Sequence, residues 1–456
     1  MFGVEFPRSS LLTPYSFLVM IFLVALLSFY VAWNLGANDV ANAMGTSVGS
    51  KAVTLRQALI IAGVLEFTGA VLFGQEVSQT LATEIVNPAL FANAPQVLLV
   101  GMVCVLLAGG VWLQIATSRG LPVSSSHAVV GAIAGFSATA IGFQAIDWLS
   151  IGKITCAWII TPVVSGVISA LLYSLVKRWI LDMPDPPRQL AEWIPWLSAT
   201  LIGVFGVIVL PVVSQPIYAL LTSSFFDFPA HDVPLILGAI ATVGLTLNSW
   251  RQLEGTGAEG QRGRGAEGQV ASGFSPPATP ASPAPPAHLV EQIMARFQLL
   301  SACFVAFAHG SNDVGNAIAP LAAIVYISRT GNVPFNDITI PLWILVLGGA
   351  GIVAGLAVWG KKVIATIGEG IIPLQPSGGF CAELACATTI LLASRLGLPV
   401  STSHALVGGV VGIGLVQNIK SIQFKTLQGI AGAWLITVPI SAVLGASIFA
   451  LVRLFL

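Results

Sequence analysis

Two short strings carry most of the chemistry this chain can do. Asn38-Asp39-Val40-Ala41-Asn42 returns as Asn312-Asp313-Val314-Gly315-Asn316. In each copy the acid and the following asparagine stand three residues apart, so on a helix they share a face. A carboxylate with amide oxygens beside it is a hard oxygen site. It suits a small cation, sodium at Asp39 and Asp313 included, or a proton held on the acid. Asn38 and Asn312 belong to the same cation set. Asn and Asp also cap helices, so a turn at a helix break is the plain alternative.

The second string is Pro122-Val123-Ser124-Ser125-Ser126-His127, repeated as Pro399-Val400-Ser401-Thr402-Ser403-His404. Proline followed by three hydroxyl residues opens a helix. The free N–H groups of that first turn, with the hydroxyls, form an anion site that needs no fixed cation. Simple capping of two broken helices is the competing reading. His127 and His404 read as structural groups donating to nearby backbone, with ligand or proton carrier as the alternative. Glu66 and Glu383 are further acids inside apolar runs. Each is either protonated and hydrogen-bonded to neighbouring helices or part of the coupling machinery. Neither string contains Lys or Arg. An anion entering between Asp39 and Asp313 is therefore repelled until cations or protons neutralise them, which predicts cation-dependent anion binding. Acidic acceptors also favour an oxyanion that still carries a proton, as phosphate does near neutral pH and sulfate does not.

These residues must be held by something, and composition says what. Of 456 residues 55% are hydrophobic and 8% charged, about a third of the charge of a soluble protein. Such a chain is an all-α integral membrane protein, because backbone in hydrocarbon must satisfy its own hydrogen bonds. Nineteen basic and nineteen acidic residues cancel, giving no sign of a nucleic-acid partner. The five cysteines lie in apolar stretches without metal-ligand spacing and read as small buried hydrophobes. The first apolar run has no small-residue cleavage site after it and reads as a retained span.

Apolar runs of about 20 residues fall near 16–35, 57–73, 96–118, 122–142, 154–176, 195–213 and 233–250, then near 294–325, 341–362, 378–394, 398–417 and 426–455. That makes about 12 spans or re-entrant hairpin segments. Residues 251–289, rich in Gly, Pro, Ala and Ser, read as a disordered linker. Lys51, Arg56, Arg119, Lys177, Arg178, Arg188, Arg251, Arg262 and Arg264 fall on one side of the first seven spans, against Arg8 and Lys153 on the other. Basic loops stay cytoplasmic, so the linker is cytoplasmic and the N-terminus outside.

The strings are copies of one another in order. Gly36–Ala43 recurs at Gly310–Ala317, an offset of 274 residues, and Leu121–Ala128 at Leu398–Ala405, an offset of 277. The chain therefore divides into a first repeat at 1–176, connecting membrane helices at 177–250, the linker at 251–289 and a second repeat at 290–456. An odd number of crossings separates the copies, so they are inverted in the membrane, the architecture of many secondary transporters.

Together these motifs resemble the inorganic phosphate transporter (PiT) family of phosphate symporters. The resemblance rests on Gly36–Ala43 and its copy Gly310–Ala317, preceded by His309 and running to Pro320. It rests also on both Pro-Val-Ser-Ser/Thr-Ser-His strings, and on Thr366-Ile-Gly-Glu369 leading to Pro376-Ser-Gly-Gly-Phe-Cys-Ala-Glu383. It implies a homodimer of inverted-repeat protomers in the plasma or inner membrane, with sodium or protons as coupling ion and no other cofactor. It places phosphate at Asp39, Asn42, Asp313, Asn316, Ser124, Ser125, Ser126, Ser401, Thr402 and Ser403, and gives Glu66 and Glu383 a part in transport. The first half lacks a clear Pro-Ser-Gly-Gly-Phe, which puts in question whether those glutamates are counterparts. A sulfate permease of the same fold is the main alternative, and a passive anion channel a lesser one. An intramembrane serine hydrolase fits poorly, because nucleophile and base usually come from separate elements. Here they adjoin in one duplicated string.

Overall fold

A computed structural model describes residues 14–119, 123–214, 232–267, 285–335, 338–367 and 371–455. Pro122, Glu369 and residues 268–284 of the expected linker lie outside them. The described chain is helical. It runs α1 Pro14–Gly49, α2 Leu55–Phe73, α3 Gln75–Thr83, α4 Pro95–Ser118, α5 Ser125–Ala140, α6 Trp148–Val176 and α7 Pro186–Val213. It continues through α8 Asp232–Glu267, α9 Pro285–Thr330, α10 Leu342–Ile367, α11 Pro376–Arg395, α12 Thr402–Gln417 and α13 Phe424–Arg453. Among the described residues 10 helices are long and apolar enough to cross a membrane.

Every apolar run of the sequence is a helix, but two do not span. Helices α5 and α12 have 16 residues each, about 24 Å against about 30 Å of hydrocarbon. They are the return limbs of two helical hairpins, α4–α5 and α11–α12. The polar helix α3, after Gly74, was not anticipated because it carries no apolar run. Within the expected linker, α8 continues to Glu267 and α9 begins at Pro285.

The Asn-Asp strings do not sit at a break either, since α1 and α9 run unbroken through both. Their polar side chains find partners on other side chains, so they do not compete for the helix's own backbone. Breaks occur at the serine strings. There the Ser124 and Ser401 hydroxyls accept the backbone N–H of His127 and His404, each at 3.3 Å.

Close approach is made possible by glycine. A Cβ on Gly36 would collide with the Ile352 carbonyl, and one on Gly310 with the Glu66 carbonyl. The two contacts are the same contact exchanged between the repeats. Helices α5 and α12 repeat the exchange, with Gly131 on Val438 and Gly408 on Pro162. Along α1 and α9 the contacts run in opposite senses: Ser28 Oγ donates to the Ala317 carbonyl, while Asp39 faces His309. The two motif helices are thus antiparallel.

The molecule is apolar outside and polar within. Asn34, Asp39, Asn42, Glu66, His309, Asp313 and Glu383 are buried, while Leu235, Ile240, Val163, Val443 and Leu435 are exposed. That inversion of the soluble pattern is what a hydrocarbon solvent selects. The cysteine expectation holds for Cys104, Cys381 and Cys386, whereas Cys303 is half-buried and Cys156 exposed on the outer face of α6. Thiols are apolar enough for a lipid-facing position.

Gly36→Ala and Gly310→Ala are each expected to lower the melting temperature in detergent by several degrees, since overpacking costs about 1–3 kcal/mol. Gly244→Ala, with nothing near its Cβ, should leave it unchanged.

Candidate functional site

Helices α1 and α9 bring the two Asn-Asp strings together across one histidine. His309 Nε2 lies 3.0 Å from Asp313 Oδ2 and 3.9 Å from Asp39 Oδ2, and its Nδ1 lies 3.2 Å from Glu66 Oε1. All four side chains are buried. One ligand atom from each of Asp39, His309 and Asp313 falls within a mutual 4.8 Å. Two ionised carboxylates at that separation repel by about 3 kcal/mol at an effective dielectric of about 20, and among the described residues no Lys or Arg pairs with them.

The hydrogen bonds around this cluster leave oxygen acceptors over. Asn42 Nδ2 donates to Asp39 Oδ1 at 3.1 Å, and Thr402 Oγ1 to Asp313 Oδ2 at 3.1 Å. Asn316 Nδ2 donates to the hydroxyls of Ser125 and Ser126 at 3.1 and 3.2 Å. Asp39 Oδ2, Asp313 Oδ1, Asn312 Oδ1 and Asn316 Oδ1 are buried with no donor among the described residues. Orphaned buried acceptors are costly. A set made of carboxylate and amide oxygens is what a hard cation coordinates, so the residues fit sodium at Asp39 and Asp313.

Beside the acids the two hairpin tips meet. Ser126 Oγ donates to the Val400 carbonyl at 3.0 Å, so the start of α5 abuts the loop before α12. Ser124 and Ser401 act as caps, as the capping alternative had it, and Ser401 and Ser403 hydroxyls pair at 2.9 Å. Each cap takes one N–H of its helix. The N–H groups of Ser125, Ser126, Thr402 and Ser403 stand in the first turn, where no intrahelical acceptor exists. Two helix starts thus open beside two acids.

Asn38 and Asn312 also tie their helices to neighbouring elements. Their amides reach outward to the hairpin limbs, Asn38 Nδ2 to Thr117 Oγ1 at 2.9 Å and Asn312 Nδ2 to Ser394 Oγ at 3.0 Å. They fasten motif helix to hairpin, and only the Asn312 amide oxygen remains over for a cation. His127 and His404 contact backbone, the carbonyls of Trp434 and Trp158 at 3.3 and 3.1 Å, and their rings pack on Trp158 and Trp434. Among the described residues neither imidazole bonds a serine hydroxyl, so the strings hold no serine–histidine dyad.

Glu66 and Glu383 occupy unlike places. Glu66 faces His309 with both oxygens unbonded. Glu383 lies in a second pocket, where Thr46 Oγ1, Ser47 Oγ and Gln298 Nε2 donate to one oxygen at 2.6, 2.7 and 3.2 Å, and Ser301 Oγ to the other at 2.8 Å. They are not counterparts: by the repeat offsets and contacts Glu383 corresponds to Leu106 and Glu66 to Ile352. Sequence reasoning noted His309 only as a flanking residue and missed Thr46, Ser47, Gln298 and Ser301. A signal existed, because the positions 274 residues away, Leu35, Pro320, Leu321, Val24 and Leu27, are all apolar. Polar side chains retained in one copy alone mark a specialised half.

Fold and site together define a polytopic helical membrane protein built around a buried cluster of acids and one histidine. Residues 35–445 match the phosphate transporter family, and the chain belongs to it. It is 40% identical over 422 residues to the inorganic phosphate transporter 2-1, chloroplastic, of Arabidopsis thaliana, covering 92% of this chain and 70% of that protein. It is 35% identical over 434 residues to a putative phosphate permease of Haemophilus influenzae, covering 95% and 97%. A solved structure, described as the sodium-dependent phosphate transporter, superposes with a TM-score of 0.80 at 33% identity. That match covers 96% of this chain and 100% of that one.

The Glu383 pocket makes a separate prediction. A hydrogen bond to a charged group contributes about 1.5–3 kcal/mol, so Glu383→Leu, which takes the shared acceptor from Thr46, Ser47 and Gln298, should unfold at a markedly lower temperature than Glu383→Gln. Equal melting temperatures would mean those donors find other partners.

Proposed function

We propose that this chain is a secondary active transporter of inorganic phosphate, coupled to sodium or protons and working by alternating access. One observation carries the reading: Asp313 and Asn316, which bond Thr402 and Ser125 at two helix starts, keep buried donorless oxygens, and Asp39 joins Asp313 across His309. The oxygens call for a cation and the helix starts for an anion. Neither fits without the other, because the anion would face the bare acids. Phosphate is favoured over sulfate because its remaining proton can be donated to a carboxylate. The family and the names of the relatives support the same substrate.

In this reading Asp39, Asp313, Asn312 and Asn316 hold the coupling ion. The Ser124–Ser126 and Ser401–Ser403 turns, with Asn42 and Asn316, hold phosphate. Glu66 tunes the centre through His309, and Glu383 serves as a second cation station between α1, α9 and α11. Antiparallel motif helices and exchanged contacts support inverted repeats at 1–176 and 290–456. Rocking of one repeat against the other would then open the same site to either side. The N-terminus is placed outside and the 251–289 segment in the cytoplasm, in a plasma or inner membrane, with two protomers forming a homodimer.

The test is uptake of labelled phosphate into proteoliposomes under imposed sodium or proton gradients. Wild-type protein should accumulate phosphate against its gradient, and Asp39→Asn and Asp313→Asn should each reduce coupled uptake at least a hundredfold while eluting as folded protein. Blockade by sulfate and not by unlabelled phosphate would assign the chain to the sulfate alternative, and uptake that only equilibrates would assign it to a channel.

A further inference from the structure

Beside the site, along the flank of α2 that packs on α10, lies a groove outside the proposed ion and phosphate positions. It has a volume of about 800 Å³ and runs between α2 and α10, floored by Gly63, Ala350 and Ala354 and walled by Ile60, Val64 and Phe67. Ile60 and Val64 are 60% and 62% exposed, so the groove opens sideways to the membrane. The helices lie antiparallel, with Leu59 against Gly360, Gly63 against Val353 and Phe67 against Gly349. Small residues keep their backbones close and leave a trough on the outside.

One end of the trough is charged. Arg56 lines it, is exposed, and has no carboxylate partner among the described residues. From Arg56 to Phe67 the helix rises about 16 Å, close to the half-thickness of about 15 Å of a bilayer's hydrocarbon. Glu66 then sits near the midplane and Arg56 at the headgroup level, on the side where basic residues collect. An apolar trough one leaflet deep, with an unpaired guanidinium at its mouth, has the dimensions and charge of a single lipid.

We propose that this groove is a binding site for one anionic phospholipid of the leaflet on which Arg56 lies. Its phosphodiester pairs with Arg56 and one acyl chain fills the trough over Gly63 and Ala354. The site braces the wall of the transport centre, since α2 carries Glu66 against His309 and α10 carries Ile352 against Gly36. Its occupancy depends on membrane composition and not on the transported ions.

The experiment is native mass spectrometry of the full chain released from micelles containing equal phosphatidylglycerol and phosphatidylcholine. The wild-type protein is expected to retain one phosphatidylglycerol in preference to phosphatidylcholine. Arg56→Gln, at an exposed position, should lower that retention about fivefold, and Ala354→Trp, which fills the trough, should abolish it. Equal retention of the two lipids by wild type and Arg56→Gln would overturn the assignment. So would efficient disulfide formation between protomers through Val64→Cys, which would make a second copy of the chain the occupant. Neither readout involves phosphate uptake, so this proposal and the transport reading fail separately.

Discussion

Three carboxylates share one imidazole in the middle of this protein, and among the described residues no lysine or arginine pairs with them. Everything else in the structure accommodates that fact. Asp39, Asp313 and Glu66 reach His309 from α1, α9 and α2, in surroundings from which water and counter-ions are excluded by burial. An unbalanced charge at such depth is worth several kcal/mol. The resting arrangement therefore has a standing demand for a cation or protons, and the donorless oxygens of Asp39, Asp313, Asn312 and Asn316 show where that demand is directed. In the transport reading, an anion site set against the same acids makes the demand conditional. An oxyanion gains from the helix starts only when the acids are already neutralised, so two weak sites become one linked site.

Duplication supplies the geometry, and departure from duplication supplies direction. The repeats exchange contacts almost residue for residue: Gly36 on Ile352 for Gly310 on Glu66, His127 on Trp434 for His404 on Trp158. Two-fold exchange brings the antiparallel motif helices and the two hairpin tips to one centre, which neither half could build alone. The polar additions break the exchange. His309 stands where the other copy has Leu35, and the Glu383 pocket with Gln298, Ser301, Thr46 and Ser47 stands where the other copy has Leu106, Val24, Leu27, Pro320 and Leu321. A centre with matched halves would treat its two openings alike. Charge and hydroxyls are thus gathered around Glu383 in one half, where the other half is apolar.

Much of this was legible in the residues, because membrane proteins write their constraints plainly. Twelve apolar runs became twelve helices, and the duplicated strings named both acids, both asparagine pairs and both helix starts. Three features were not legible. Run length cannot separate a span from a hairpin limb when the proline and serines that break the helix are flanked by apolar residues, as at 122–142 and 398–417. A polar helix such as α3 leaves no hydropathy signal. The partners of Glu383 come from α1 and α9, and a single serine or threonine in an apolar run reads as unremarkable until another helix brings a carboxylate to it. The role of Asn38 and Asn312 as fasteners to Thr117 and Ser394 was hidden for the same reason, since their partners lie about 80 residues away.

The central claim is that cation and anion occupy one electrostatic unit, and equilibrium linkage tests it without any gradient. Binding of labelled phosphate to purified, detergent-solubilised protein should be measured as sodium and pH are varied independently, and sodium or proton uptake measured as phosphate is varied. Linkage requires the two effects to be equal in size. The account predicts that phosphate binds at least tenfold more tightly when the cation is supplied, with the same factor recovered in the reverse titration. Phosphate affinity that stays constant across both sodium concentration and pH would contradict it.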